Sequence, residues 1–169
     1  MKPQFPQQPI SKWIVFAILA ISFLGFLDAT YLTINHYSGG TIECNILAGC
    51  NIVTQSKYAV ILGVPVALMG ALFYLIMLIS SLLYLDRKNA KAIYLASYLT
   101  IFGFAFSLWF TSVQIFILHV YCQYCLLSAI FSTILFILGM WLIYKRGSYR
   151  KTIARIEQTQ NTFEQLNND

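Results

Sequence analysis

Residues 64–85 read VPVALMGALFYLIMLISSLLYL, a run that contains no charged side chain. A helix that crosses a bilayer needs about 20 mostly apolar residues, each adding about 1.5 Å. Three further runs reach that length, at residues 13–34, 92–120 and 122–144, and together they contain one acidic residue. The sequence therefore predicts an all-α membrane protein with four transmembrane helices.

Short polar segments separate these runs and set their packing. Residues 86–91 join the second helix to the third, and only residues 118–121 lead into the fourth. Such connections make consecutive helices antiparallel neighbours, which favours an up-down four-helix bundle. We expect a polar lead over residues 1–12, the bundle over residues 13–144 and a polar tail over residues 145–169.

The first loop is the longest connection. We expect helix one to end near Ile34 and helix two to begin at Gly63-Val64-Pro65, since proline is tolerated in a first turn. Between them, residues 51–62 (NIVTQSKYAVIL) mix apolar and polar side chains. That mixture predicts a short helix lying in the membrane interface.

The distribution of charge predicts the orientation of the chain. Charged residues are 10% of the sequence, against about 25% in soluble domains, and the net charge is +5. Ten of the eleven Lys and Arg residues flank one end of the predicted bundle, and only Lys57 lies in the first loop. The positive-inside rule then puts both termini in the cytoplasm, and this placement argues against a nucleic-acid partner. The first run exceeds a signal-peptide core and lacks a small-residue cleavage site, so we expect it to be retained.

Four cysteines lie at the opposite end of the predicted bundle. Cys44 and Cys50 belong to the first loop, with Gly49 beside Cys50, while Cys122 and Cys125 form a C-x-x-C where helix four begins. A helix N-terminus favours an anion, and the first cysteine of such a motif commonly has a lowered pKa. Cys122 is therefore the expected nucleophile, and Cys125 lies about one turn deeper. Two thiol pairs on one side of a membrane predict a redox relay.

Other interpretations of the cysteines stay open on the residues alone. An oxidising compartment permits structural disulfides, although a C-x-x-C ring is small and constrains little of the unfolded chain. Four thiols can also bind zinc, but a C-x5-C pair facing an oxidising space fits that poorly. A redox-inert scaffold or transporter subunit is thus the alternative to an enzyme.

Asp28 is the one acidic residue inside a predicted span. An ionisable residue within a membrane usually marks function or a polar network. One interpretation is a neutral Asp28 that bonds to Ser107 or Thr111 of helix three and locks the packing. The other is a proton-transfer role towards a reduced electron acceptor. His36 and His119 lie at the predicted interface, where a ring with a polar tip is more often an anchor than a catalyst.

Several motifs resemble those of the bacterial vitamin K epoxide reductase family, over roughly residues 14–144. They are YLTINHY at the end of helix one, C-x5-C in the loop, Ser56 six residues after Cys50, GVPVALMGALFY at residues 63–74 and YCQYCLLSA at residues 121–129. The order of the cysteines, loop pair first and C-x-x-C second, differs from that of disulfide bond formation protein B, the other quinone-linked membrane family.

The resemblance implies a bundle around a quinone in a bacterial inner membrane. By similarity, Cys125 passes electrons to the quinone, Cys122 exchanges with Cys50, and Cys44 meets a partner protein. The expected quinone contacts are Cys125, Ser56, Ala129, Val66 and Met69. Relatives often carry a fused thioredoxin-like domain, for which the tail after Tyr144 is too short, so the expected partner is a separate thioredoxin-fold protein.

Two departures from the vertebrate pattern narrow the expected chemistry. Vertebrate members have a tyrosine where this chain has Ala129, and an asparagine near the start of helix two, where this chain has Val64-Pro65-Val66. The resemblance therefore implies reduction of a plain quinone, either ubiquinone or menaquinone. The direction of electron flow stays open on the residues alone, because Gln123-Tyr124 between the cysteines does not fix a reduction potential.

Overall fold

The computed structural model describes residues 11–40, 42, 49–87 and 90–168. Five α-helices occur in these residues: α1 (Lys12–Ser38), α2 (Cys50–Thr54), α3 (Val66–Arg87), α4 (Ala90–Val113) and α5 (Gln123–Asn168). The segments Lys12–Ser38, Val66–Arg87, Ala92–Leu118 and Gln123–Ile156 are long and apolar enough to cross a membrane. The prediction of a four-transmembrane-helix protein is thereby confirmed.

The four long helices pack as a ring in which α1 contacts α3, α3 contacts α4, α4 contacts α5 and α5 contacts α1. Its interior holds buried apolar side chains such as Ile18, Tyr74, Met77 and Leu135. Large apolar side chains also cover the outside, and Phe102 on α4 is 71% exposed. Such exposure is costly in water but matches the hydrocarbon of a bilayer.

Helix α1 extends one turn beyond the predicted end at Ile34. The Asn35 amide donates to the Tyr31 carbonyl at 2.9 Å, so this polar residue continues the helix. The helix ends at Ser38, where Gly39 takes the left-handed conformation (φ 64°) typical of a helix C-terminus. The predicted end at Ile34 was therefore one turn too early, because the polar residues 35–38 continue the helix.

The interfacial helix predicted over residues 51–62 is only partly formed. Helix α2 stops at Thr54, a 3-10 turn covers Lys57–Ala59, and two short strands follow, β1 (Val60–Ile61) and β2 (Val64–Pro65). The strands pair antiparallel with Ile61 opposite Val64, and the two residues between them both have positive φ. A two-residue turn of that kind matches the right-handed twist of a hairpin, so the chain forms strands here. A short helix between the first two spans is therefore present as predicted, but it ends at Thr54 instead of continuing to Leu62.

The connection from α4 to α5 is tighter than an ordinary loop. Helix α4 widens into a π-helical segment, Gln114–Leu118, which ends at His119 in the left-handed conformation (φ 52°). Three residues separate His119 from the start of α5, which continues without interruption through Asn168. We call the end of the bundle formed by residues 49–66 and 119–122 the cysteine end, and the end between Arg87 and Ala90 the far end.

Candidate functional site

Cys122 is the N-cap residue of α5. Its carbonyl oxygen accepts the first bond of the helix, from the Leu126 N–H at 3.0 Å. Its own N–H donates to Oε1 of Gln114 at 3.0 Å, and the residue is fully buried. The backbone on both sides of this cysteine is therefore fixed by hydrogen bonds.

The surroundings of Cys122 favour a thiolate. The hydrogen bond from the Cys125 thiol is the largest influence, and it lowers the pKa of Cys122 below its ordinary value of 9.0. Burial opposes this shift, while bonds from the backbone N–H groups of Cys125 and Tyr124 add to it. These amides occupy the second and third positions of α5, which are the donors that an N-cap group normally satisfies. The lowered pKa predicted for the first cysteine of the motif thus has a definite geometric cause.

Cys50 approaches Cys122 through close packing of the loop. The two residues belong to one buried cluster with Leu32, Ile42 and Val53, and Cys125 packs against it. Gly49 makes the approach possible, because a Cβ atom there would lie 2.7 Å from the Tyr121 carbonyl oxygen and 2.9 Å from the Val120 side chain. Cys50 is disulfide-bonded, whereas Cys122 and Cys125 carry free thiols. Cys44 lies outside the described residues.

Two side-chain contacts fix the loop against the bundle. Asn51 at the start of α2 bonds to both polar groups of the Ile42 backbone, accepting from its N–H at 2.7 Å and donating to its carbonyl at 3.2 Å. Nδ1 of His36 on α1 lies 3.2 Å from the Thr54 carbonyl oxygen at the end of α2. The segment that carries Cys50 is therefore held from both ends.

A cavity of about 390 Å³ lies between the four long helices, next to the cysteine cluster. Pockets for small ligands typically measure about 300–1,000 Å³ and combine apolar walls with a few polar groups. Here the apolar part includes Leu32, Phe73, Phe102, Phe106 and Phe110. The polar part comprises His36, Thr54, Tyr74, Ser107, Thr111, Cys125, Ser128 and Ser132. The cavity therefore has the size and the mixed lining of a site for a small, mostly apolar ligand that carries a few polar atoms.

The structure brings most of the sequence-predicted ligand contacts to this wall. Cys125, Ala129, Val66 and Met69 all line the cavity. Ser56 does not line it, and its hydroxyl donates instead to the Val53 carbonyl at 2.7 Å. Ser56 therefore bonds to the end of α2 instead of contacting a ligand. Its position near the cysteines in the sequence is compatible with either role, so the sequence alone could not separate them.

The hydrogen bonding of Asp28 differs from that expected for a structural role. Ser107 donates to Ser132 at 3.0 Å, and Oδ2 of Asp28 is buried without a hydrogen-bond partner among the described residues. Of the two predicted partners, Ser107 bonds to α5 instead, and Oδ2 of Asp28 receives no hydrogen bond from Thr111 either. The negative charge of Asp28 is one of the influences that raise the pKa of Cys122, so its field reaches the thiols.

Three polar residues of the site were missed by sequence reasoning. Tyr74 on α3 donates its hydroxyl to the Ser128 carbonyl at 2.7 Å, across the bundle and at the cavity wall. Asn51 fixes the loop, and Gln114 holds Cys122. Gln114 had one detectable signal, since it is the only amide side chain in the run 92–120.

Comparison with known protein families gives a match for this chain. The sequence profile of the vitamin K epoxide reductase family matches residues 16–140, which is more than half of the chain. The matched range contains most of α1, the loop with both its cysteines, α3, α4 and the cavity-lining part of α5. No curated protein matches the chain.

Proposed function

Because the chain belongs to the vitamin K epoxide reductase family, we propose that this membrane thiol oxidoreductase oxidises a thioredoxin-fold partner and reduces a quinone. Electrons pass from the partner to Cys44 and Cys50, and then to Cys122 and Cys125. The observation that carries the proposal is the free thiol of Cys125 on the wall of a ligand-sized cavity. Cys122, one turn away, shares a buried cluster with Cys50.

The exchange steps balance without any other reactant. A partner thiolate attacks Cys44 in the loop disulfide and releases Cys50 as a thiolate, and the partner's second thiol then resolves the mixed disulfide and frees Cys44. Cys50 next attacks Cys122 in the inner disulfide and releases Cys125. Cys44 finally attacks Cys50, which restores the loop disulfide and leaves Cys122 as a thiolate. The product has a disulfide at Cys50 and free thiols at Cys122 and Cys125, as in the structure.

Residues of the cavity hold the acceptor beside the inner pair. A bound quinone supplies a two-electron, two-proton acceptor for the electrons released when the inner disulfide forms. Val66, Met69 and Ala129 provide apolar wall next to Cys125, and the rings of Phe73, Phe106 and Phe110 extend that wall. Ala129 leaves its position on the wall without the tyrosine hydroxyl of the vertebrate pattern, which supports reduction of a plain quinone over an epoxide.

Asp28 serves in this proposal as a proton carrier for the inner end of the relay. Its buried and unpartnered Oδ2 supports that role, because a carboxyl with no fixed partner is free to exchange a proton. Asp28→Asn keeps the shape of the side chain and removes the titrating group. We expect turnover to fall by about 100-fold, within the usual range for a lost general acid or base. Full turnover in Asp28→Asn would remove Asp28 from the mechanism.

The distribution of Lys and Arg supports an orientation with both termini in the cytoplasm and the cysteine end outside, in a bacterial inner membrane. In that orientation the relay supports disulfide formation in extracytoplasmic proteins. Labelling with a membrane-impermeant thiol reagent in intact cells tests the orientation. Leu62→Cys, at an exposed residue of the hairpin turn, should react, and Ser148→Cys should not.

The decisive test is turnover of the purified protein with ubiquinone and menaquinone analogues and a reduced thioredoxin-fold partner. Wild type should form quinol, and Cys122→Ala and Cys125→Ala should abolish it while remaining folded. With a partner variant that keeps only its attacking cysteine, wild type should accumulate a mixed disulfide through Cys44 as Cys50 is released, and Cys44→Ala should not. Ser81→Ala is the matched control, because it removes a buried polar group of α3 far from the thiols. A scaffold with structural disulfides would give no quinol in wild type and only losses of stability in the variants.

A further inference from the structure

Gln114 occupies the first position of the π-helical segment that ends the third membrane span. Short π-helical stretches inside α-helices are rare and frequently occur at functional sites. Gln114 is fully buried, and its Oε1 accepts the N–H of Cys122 at 3.0 Å. The irregular turn thus places an amide side chain directly on the backbone of the cysteine.

The NH₂ group of this amide makes no hydrogen bond within the described residues. Nε2 of Gln114 is buried, and no described residue accepts a hydrogen bond from it. The orientation of the amide is fixed, since the Cys122 N–H requires an acceptor and only the oxygen of the side chain can provide one. Nε2 is bonded to the same carbon as Oε1, so a spare donor lies beside the backbone of Cys122.

A buried donor without an acceptor is unfavourable, and most folded proteins avoid it. An apolar side chain of similar size would remove the cost, unless an acceptor forms at some stage of the reaction. The sulfur of Cys122 becomes such an acceptor when it carries negative charge. Donors that meet charge only as it develops are a general means of accelerating a reaction.

We propose that Gln114 is a positioning residue for Cys122: its Oε1 fixes the cysteine backbone, and its Nε2 N–H donates to the sulfur when Cys122 is a thiolate. This inference rests on the proposed function in so far as Cys122 is the exchanging thiol. The relevant step breaks the Cys50–Cys122 bond and forms the Cys44–Cys50 bond, and the electron pair of the broken bond stays on Cys122. A stabilised thiolate is the better leaving group in that exchange.

Titration of the Cys122 thiolate tests the proposal without partner or quinone. The ultraviolet absorbance of the thiolate is followed against pH in the reduced full-length protein, and the signal of Cys122→Ser is subtracted. Gln114→Met keeps the length of the side chain and removes both hydrogen bonds. Gln114→Glu keeps an acceptor for the Cys122 N–H and replaces the donor with a carboxylate oxygen. Ser97→Ala, which removes another buried hydrogen bond of α4, is the control.

We expect Gln114→Met to raise the pKa of Cys122 by about one, a tenfold change in proton affinity, and Gln114→Glu to raise it at least as far. Turnover at neutral pH should fall by about tenfold in both, with an unchanged KM for the quinone analogue and a pH–rate profile displaced to higher pH. Ser97→Ala should leave the titration unchanged. A merely structural role would lower stability without moving either profile.

The proposal is overturned if either Gln114 variant is folded and titrates like wild type. If Gln114→Met does not fold, Gln114→Glu decides, because it preserves the contact to the Cys122 backbone. The two hypotheses fail separately. A raised pKa in the variants together with no quinol formation by wild type would reject the proposed function and keep the role of Gln114. An unchanged titration in the Gln114 variants, together with normal quinol formation by wild type, would reject the role of Gln114 and keep the proposed function.

Discussion

The far end and the cysteine end of the bundle bury polar side chains in two different ways. At the far end, Ser81 donates to the Met77 carbonyl and Ser97 to the Ile93 carbonyl, so each hydroxyl is satisfied within its own helix. Towards the cysteine end, Asp28, Thr30 and Gln114 each bury a polar atom without a partner among the described residues. Ser22, nearer the middle of α1, is a further case. Unsatisfied polar groups cost stability, so their concentration near the thiols indicates selection for chemistry there.

The glycines repeat this contrast. Gly139 lets α5 approach α4 so closely that an added Cβ would lie 2.8 Å from Oγ1 of Thr100. Gly49 instead lets the loop approach the residues before Cys122. One glycine serves helix packing and the other serves contact between the two cysteine pairs. Matched Gly→Ala substitutions can therefore separate stability from activity.

The largest effect is expected for Gly49→Ala. The new methyl group would clash with backbone atoms of Tyr121, which cannot move without displacing Cys122. The loop must move instead, so Cys50 shifts away from Cys122. A displacement of about 1 Å from a reactive geometry can cost about 100-fold in rate. We expect electron transfer from the loop pair to the inner pair to fall by about that factor, measured by stopped-flow quinol formation.

Gly147→Ala is the control for this variant, because nothing lies within 4 Å of the added Cβ. Its turnover should equal that of wild type. Wild-type transfer in Gly49→Ala would mean that the tight packing of the loop has no part in the exchange.

A smaller effect, on stability and not on turnover, is expected for Gly139→Ala. Overpacking against Thr100 costs about 1–3 kcal/mol, partly offset by about 1 kcal/mol of better helix propensity. We expect a net loss of about 1 kcal/mol in the free energy of unfolding, measured in detergent, with turnover per folded molecule unchanged. A variant of wild-type stability but low turnover would contradict the division between the two ends.

The smallest expected effect is a pH dependence of stability. Because the pKa of Cys122 is lower in the folded protein than its ordinary value of 9.0, the folded state binds fewer protons between these two values. The reduced protein should therefore gain stability as pH rises through this window and lose it as pH falls through the lowered pKa. We expect the unfolding midpoint to rise by a few degrees relative to Cys122→Ser, a shift typical of about 1 kcal/mol. Parallel pH curves for the two proteins would contradict the assigned environment of Cys122.

The two ends also differ in how much of them the sequence could predict. The spans of the bundle depend on the composition of each segment alone, so long runs such as residues 64–85 were sufficient. The hairpin depends on Leu62 adopting a positive φ beside Gly63, which a leucine does not signal. Gln114 contacts Cys122 across an irregular turn. Tyr74 contacts Ser128, which is 54 residues away along the chain. Local patterns predict helices, whereas the site is made of tertiary contacts.

The π-helical segment Gln114–Leu118 also limits how this chain can change in length. Its i→i+5 bonding takes in one more residue per turn than the α-helix does, so it can be regarded as a single-residue insertion in the third span. Deleting one residue there would allow a regular α-helix but would rotate the following chain by about 100°. Gln114 and Cys122 would then face different directions. Among descendants of this sequence, deletions should be tolerated in the polar tail and eliminated between these two residues.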